Sequence, residues 1–171
     1  MPQPAAVRAY VGLGSNAAGA AGRLTQALAA LAALPDMRLG AVSAVYATEP
    51  QGYADQPWFL NQAAELLPGP GWTPCALVDA LLTIEAAQGR VRSPDPALRY
   101  GPRAIDLDLL VFGAAQSADP HCLVPHPRLT QRAFVLVPLA ELAPGLRVGG
   151  LPVEAWLARL PYRLEGRRIF Q

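Results

Sequence analysis

The sequence predicts an α+β fold with a mixed or antiparallel sheet, and three features support that expectation. One strand–helix–strand crossover is evident at the start, and the remaining order is strand, strand, helix, strand rather than repeated crossovers. At 171 residues and 52% hydrophobic content, the chain suffices for one core and is too apolar to be disordered. A formal net charge of +1 argues against a basic nucleic-acid coat.

Arg8–Leu13 is a short apolar strand running into the turn Gly12-Leu13-Gly14-Ser15-Asn16. Leu24, Leu28, Leu31 and Leu34 follow at helical spacing until Pro35 stops the pattern. Met37–Ala47 alternates with valines and a tyrosine and reads as a strand. Pro50, Gly52 and Asp55 make Thr48–Pro57 a loop, and Trp58–Leu67 is the next strand, closed by Pro68-Gly69-Pro70-Gly71. Thr73 before Pro74 starts a helix, because the hydroxyl can accept from a free N–H and proline suits the first turn. Leu77, Leu81, Ile84 and Gln88 share one stripe of it, and Gly89 supplies a left-handed stop. Arg90–Pro102 has no periodicity and reads as a long loop of the kind that carries function. Ile105–Phe112 is the clearest strand. The turn Pro125-His126-Pro127, an apolar run Phe134–Leu142 and a weakly helical Val153–Leu160 complete the chain.

Composition removes several chemistries. All fourteen basic residues are arginines, so Schiff-base catalysis, lysine general bases and the lysine-bearing phosphate loop are excluded. No apolar stretch reaches the roughly 18–20 residues of a membrane span. The run Ala5–Leu13 is broken by Arg8 and makes a poor secretory signal, so a cytoplasmic protein is expected. Cys75 and Cys122 lack a CxxC spacing and are expected to be ordinary reduced residues.

Asp106 and Asp108 lie two apart on the Ile105–Phe112 strand and so project from one face, roughly 6–7 Å apart, while Ile105, Leu107, Leu109 and Val111 line the other. Two such carboxylates repel each other, and a hard divalent cation relieves the repulsion; magnesium favours one or two carboxylates plus phosphate oxygens. Arg90, Arg92, Arg99 and Arg103 crowd in just before the pair, and Arg128 and Arg132 follow with His126. Guanidinium groups match phosphate in a bidentate fashion. Together they suit a metal–triphosphate complex.

The segment Gly101-Pro102-Arg103-Ala104-Ile105-Asp106-Leu107-Asp108-Leu109-Leu110-Val111-Phe112-Gly113 resembles the signature of the 6-hydroxymethyl-7,8-dihydropterin pyrophosphokinases of folate biosynthesis. Four further segments agree in order and spacing. They are Tyr10 to Asn16, Asp55 to Asn61, Ile84-Glu85 through Arg92, and Val124 to Leu129 with Arg132, Phe134 and Pro138-Leu139. Leu82, Ser93 and His121 depart from the family pattern on the nucleotide side.

The resemblance implies a ferredoxin-like sandwich, with a mostly antiparallel sheet, helices on one face and long active-site loops. It implies one domain over residues 1–171, with a motif-bearing core of about 7–142. It implies transfer of pyrophosphate from ATP to the pterin hydroxymethyl group with release of AMP. Asp106 and Asp108 would then hold two magnesium ions, and Arg90 and Arg103 would assist transfer. Glu85, Arg92, His126 and Arg132 would contact ATP, and Thr48, Gly52, Phe59, Asn61 and Phe134 would bind the pterin. Aromatic faces suit a flat heterocycle, and an asparagine amide offers its edge both a donor and an acceptor. The loops Gly89–Pro102 and Thr48–Pro57 are candidate lids. A monomer that binds neither nucleic acid nor membrane is expected.

Two rival readings are weaker. Gly12-Leu13-Gly14-Ser15-Asn16-Ala17 fits a dinucleotide-binding G-x-G-x-x-A, but the repeated crossovers of that fold are missing. The strand order would also suit an RNA-binding sheet, but the aromatic-rich recognition strand is missing and the net charge is near neutral.

Overall fold

The computed structural model describes residues 5–50, 55–90, 95 and 103–171. Gly52, Arg92 and Ser93 lie outside the described residues, as do residues 51–54 of the Thr48–Pro57 loop and most of the Gly89–Pro102 loop.

Strand β1 (Ala9–Ser15) is buried along nearly its whole length because it has neighbours on both edges and a layer on each face. It pairs antiparallel with β4 (Phe59–Pro68) on one side and β5 (Asp106–Phe112) on the other. β2 (Met37–Val42) and β3 (Tyr46–Thr48) both pair antiparallel with β4. The continuous strand expected over Met37–Ala47 is therefore two strands. At the break, the Ser43 hydroxyl accepts from the Ala63 N–H at 2.9 Å, and the Ser43 N–H donates to the Ala63 carbonyl. With β8 (Arg163–Glu165) and β9 (Arg168–Phe170) from the end of the chain, the sheet runs β5-β1-β4-β3-β9-β8 with β2 also on β4. Its one parallel contact among the described strands is between β3 and β9, which forms a hairpin with β8.

Helices α1 (Ala20–Ala32) and α2 (Pro74–Ala87) cover one face. Leu24, Leu31, Leu77 and Leu81 pack there with Val11, Leu13, Leu107 and Leu109 of the sheet. The expected capping hydroxyl is present, since Thr73 Oγ1 accepts from the Ala76 N–H at 3.2 Å. Gly89 adopts the left-handed conformation with φ 85°.

Helices are not confined to that face, which corrects the expectation. The apolar run becomes α3 (Ala133–Leu142), and with the short α4 (Val153–Leu157) it packs on Tyr10 and Leu110 from the opposite side. α3 is apolar on almost every side and buries Val135, Leu136, Val137, Pro138 and Leu139 together, so no amphipathic stripe marks it. Pro138 sits inside the helix and gives up one backbone donor there. The two-residue strands β6 (Arg147–Val148) and β7 (Leu151–Pro152) form a hairpin whose turn residues Gly149 and Gly150 have φ 55° and 82°, the left-handed pair such a turn requires.

The facing of β5 needs one correction. Its register against β1 slips at a bulge, so that Tyr10 opposes Val111 while Val11 opposes Leu109. The extra residue, Leu110, offers its carbonyl to the His126 N–H at 2.8 Å. Beyond the bulge Val111 therefore packs with Tyr10 and Leu110, and Phe112 packs with the α1–α2 layer.

The cysteines also differ from expectation. Cys75, in the first turn of α2, is joined to Cys122 by a disulfide with Cα atoms 4.9 Å apart. The turn Asp119–Cys122 folds onto the start of α2, where His121 Nε2 lies 2.6 Å from Asp79 Oδ1. Among the described residues, no helix is long and apolar enough to cross a membrane.

Candidate active site

A cleft of about 560 Å³ opens on the sheet face that carries α3. β5 delivers Asp106 and Asp108 into it, because Leu107 and Leu109 are drawn to the buried α2 side. The two carboxylates differ in their surroundings. Asp106 is gripped by two guanidiniums: Arg90 Nη1 donates to its Oδ1 at 2.6 Å and Arg103 Nη1 donates to its Oδ2 at 2.8 Å. No hydrogen bond reaches the Asp108 side chain from any described residue. Burial, and then the Asp106 charge, push its carboxyl up from 3.8 to about 7, while Arg132 pulls in the opposite direction.

The arginines are themselves held by backbone. After α2, the Gly89 turn returns Arg90 towards β5, with the Arg90 N–H on the Glu85 carbonyl at 3.0 Å and Nη1 on the Ile105 carbonyl at 3.0 Å. Glu85 is 2% exposed, accepts from the Leu107 N–H at 2.8 Å, and lies 3.9 Å from Arg90 Nη1. Its carboxylate braces the start of β5 and does not line the cleft. Arg103 is held by the turn after β1: its N–H donates to Asn16 Oδ1 at 2.7 Å, and the Ser15 hydroxyl donates to the Ala104 carbonyl at 2.7 Å. Asn16 Nδ2 also donates to Gln56 Oε1 and to the Pro57 carbonyl, so one buried turn ties together segments on both sides of the cleft.

At the other end, Asn61 Nδ2 donates to Thr48 Oγ1 at 2.7 Å, and both residues are buried cleft-lining groups. Gly14 stands opposite Asn61 across the strands, and a Cβ there would come within 2.8 Å of Asn61 Oδ1. Phe59 and Phe134 line the same end. Arg132, the residue that opens α3, places its guanidinium 5.6 Å from the Phe134 ring centre.

His126 is half-buried and is not among the residues that line the cleft. Its Nδ1 accepts from the Arg128 N–H at 3.1 Å, and burial followed by the Arg132 charge lowers its pKa from 6.5 to about 4. At neutral pH it is an uncharged imidazole with its proton on Nε2.

The structure thus gathers Thr48, Phe59, Asn61, Arg103, Asp106, Asp108, Arg132 and Phe134 around one cleft, with Arg90 joined to it through Asp106. Glu85 and His126 do not line it, and Gly52 and Arg92 lie outside the described residues. Sequence reading passed over Gly14, Glu49, Gln62, Arg128, Gln131 and Gln171 as cleft residues. Of these Gly14 carries a signal in the family-like segment Tyr10 to Asn16 and Arg128 in the second cluster of cations, and the others carry none. Two crowded carboxylates, one of them without a hydrogen-bonding partner among the described residues, form a hard-oxygen donor set that fits magnesium, and Arg103, Arg128 and Arg132 surround it with positive charge.

The sequence model of the family described as 7,8-dihydro-6-hydroxymethylpterin-pyrophosphokinase (HPPK) matches residues 10–144. Similar curated proteins are called 2-amino-4-hydroxy-6-hydroxymethyldihydropteridine pyrophosphokinase. That of Methylorubrum extorquens is 48% identical over 153 residues, covering 90% of this chain and 93% of its own. That of Pseudomonas aeruginosa is 47% identical over 156 residues, covering 91% and 93%. Among solved structures, wild-type HPPK-DHPS of Plasmodium falciparum superposes with a TM-score of 0.62 at 13% identity, over 93% of this chain and 45% of that one. An HPPK-DHPS in complex with substrates gives 0.65 at 9% identity, over 90% and 44%. At such identity the likeness speaks for the fold, and this chain spans a little under half of those longer chains. The matched segment includes β1, β4, α2, β5 and α3, which together build the cleft, and the chain belongs to the 7,8-dihydro-6-hydroxymethylpterin-pyrophosphokinase family.

Proposed function

We propose that this cleft transfers pyrophosphate from ATP to the hydroxymethyl group of 6-hydroxymethyl-7,8-dihydropterin, releasing AMP, as a step in tetrahydrofolate biosynthesis. One observation carries the reading: an acidic pair ringed by guanidiniums shares a single cleft with a buried amide and two phenylalanines. The polyanion belongs at the first end and the flat heterocycle at the second. Names of the similar proteins support the same assignment.

Asp106 and Asp108 would hold magnesium, two ions when ATP is bound. When bound, magnesium neutralises phosphate charge and so makes the β-phosphorus easier to attack. The chain's own residues supply the rest. Phe59 and Phe134 hold the pterin ring between them, while Asn61, fixed by Thr48, reads its edge, with Gly52 as a further pterin contact. Arg132 and Arg92 meet the nucleotide phosphates, and His126 offers a neutral donor through Nε2. Glu85 serves the nucleotide side from behind, by fixing β5 and Arg90. Arg90 and Arg103, which hold Asp106, are the guanidiniums that steady charge on the transferring group.

The strand order β5-β1-β4 followed by β2 and β3, antiparallel throughout, supports a ferredoxin-like core with α3 and α4 added to its second face. β1 and β5 feed both packed layers, which supports one catalytic domain.

The test is to supply ATP, the pterin alcohol and magnesium and to identify the nucleotide product. AMP is expected, whereas ADP would mark an ordinary kinase and contradict the reading. Asp106→Asn and Asp108→Asn should each lower turnover by about 10³-fold or more while leaving the fold intact. Near-normal turnover in both would overturn the site.

A further inference from the structure

Resting on that reading, we infer that Gln171 is a positioning residue that sets the affinity for the pterin, acting as a latch between the two walls of its end of the cleft. Gln171 lies beyond the family-matched residues 10–144, yet it lines the cleft.

The hairpin β8–β9 puts it there. β9 runs parallel to β3, with Thr48 opposite Ile169, and the Ala47 N–H donates to the Arg167 carbonyl at 2.8 Å. Ile169 is 1% exposed and packs with Ala133 and Val137 of α3. Phe170 meets Trp58 edge to face with ring centres 5.3 Å apart, next to Phe59. The hairpin therefore extends the sheet past β3 and meets α3 from that edge through Ile169.

Gln171 then joins the walls through three hydrogen bonds. Its backbone N–H donates to Glu49 Oε1 at 3.0 Å, beside Thr48. Its side-chain Oε1 accepts from the Ala133 N–H at 2.8 Å, and its Nε2 donates to the Gln131 carbonyl at 3.0 Å. The first turn of a helix has N–H groups without intrahelical acceptors, and Arg132 at the start of α3 makes no side-chain cap. Gln171 supplies the missing acceptor from a distant segment. That first turn carries Phe134, and Arg132 precedes it, so the latch fixes one aromatic face against the Thr48–Asn61 edge. Because its amide is engaged by the protein's own groups, it acts through Phe134 and Glu49 and not by touching the reacting atoms.

The experiment compares wild type, Gln171→Ala and Gln171→Glu in steady-state assays varying each substrate, with pterin Kd from fluorescence titration in the presence of a non-hydrolysable ATP analogue and magnesium. Gln171→Ala should raise KM and Kd for the pterin by about 5–10-fold, with kcat and the KM for ATP unchanged within about twofold. Gln171→Glu retains the acceptor for the Ala133 N–H but turns a carboxylate oxygen towards the Gln131 carbonyl in place of the Nε2 donor, so it should recover part of the loss, with a pterin KM between those of wild type and Gln171→Ala. An unchanged pterin KM and Kd in Gln171→Ala, equal rises for both substrates, or no recovery in Gln171→Glu would each overturn the inference. Wild-type AMP formation is measured first: its absence would defeat the function reading itself, and with it this inference. AMP formation combined with an indifferent Gln171→Ala would defeat only the latch.

Discussion

Asp106 and Asp108 are the same side chain on the same strand face, yet their surroundings make them different groups. Asp106 is already neutralised by Arg90 and Arg103, so Asp108 bears the cost of an acidic pair in a partly buried cleft. This has a measurable consequence for the metal-free protein. Asp108 binds its proton more tightly folded, at about 7, than unfolded, near 3.8, so its contribution to stability is full at low pH and is lost as pH rises towards 7. His126 works in the opposite sense: its folded value of about 4 lies below 6.5, so its contribution holds above 6.5 and is lost as pH falls towards 4. Asp108→Asn removes the first limb. Without magnesium at pH 8, the inactive variant should be more stable than wild type by about 1–2 kcal/mol, a Tm rise of ~2–8 °C. Its Tm should also climb between pH 5 and pH 7, and a variant less stable than wild type at pH 8 would contradict this account. Gly14 gives a second test at the same scale. The methyl of Gly14→Ala would displace Asn61 Oδ1, so the pterin KM should rise about tenfold with the KM for ATP unchanged. The acidic pair was legible because strand alternation places it directly. The needs of Gly14 and Asn16 were not, because they follow from which strand or loop lies opposite.

Elements were legible where they are long and periodic. α1, α2 with its Thr73 cap and Gly89 stop, and β1, β4 and β5 lie close to where the spacing of apolar residues puts them. Elements escaped where pattern or length failed. α3 is apolar on most sides and contains Pro138, β6 to β9 are two or three residues each, and the β5 bulge reverses the facing of Val111 and Phe112. The Cys75–Cys122 link escaped for another reason, since two cysteines separated by 47 positions give no local sign of pairing. It ties the start of α2 to the turn that leads towards His126. Reduction by a dithiol should lower stability by about 2–4 kcal/mol, seen as a lower Tm than in the oxidised protein. Equal Tm values, with thiol titration confirming both states, would show that the link contributes nothing to the fold.

On the scale of the whole molecule, one sheet separates two layers with different tasks. The α1–α2 side is a continuous apolar core, and the α3 side is divided between packing around Tyr10 and Leu136 and the open cleft. Sequence pattern gave the α+β class, but not the second layer, because nothing local tells a helix which face of a sheet it will cover. The site was legible as a set of residue types and a family resemblance, and the fold adds how Asn16, Glu85 and Thr48 hold that set in place. The central claim is that the acidic pair on β5 anchors the magnesium–nucleotide complex. Its most direct test is a crystal structure with magnesium and a non-hydrolysable ATP analogue. The expected result is metal ligated by both Asp106 and Asp108, with the analogue's phosphates against Arg103 and Arg132. A nucleotide bound elsewhere, with the pair ligating nothing, would contradict it.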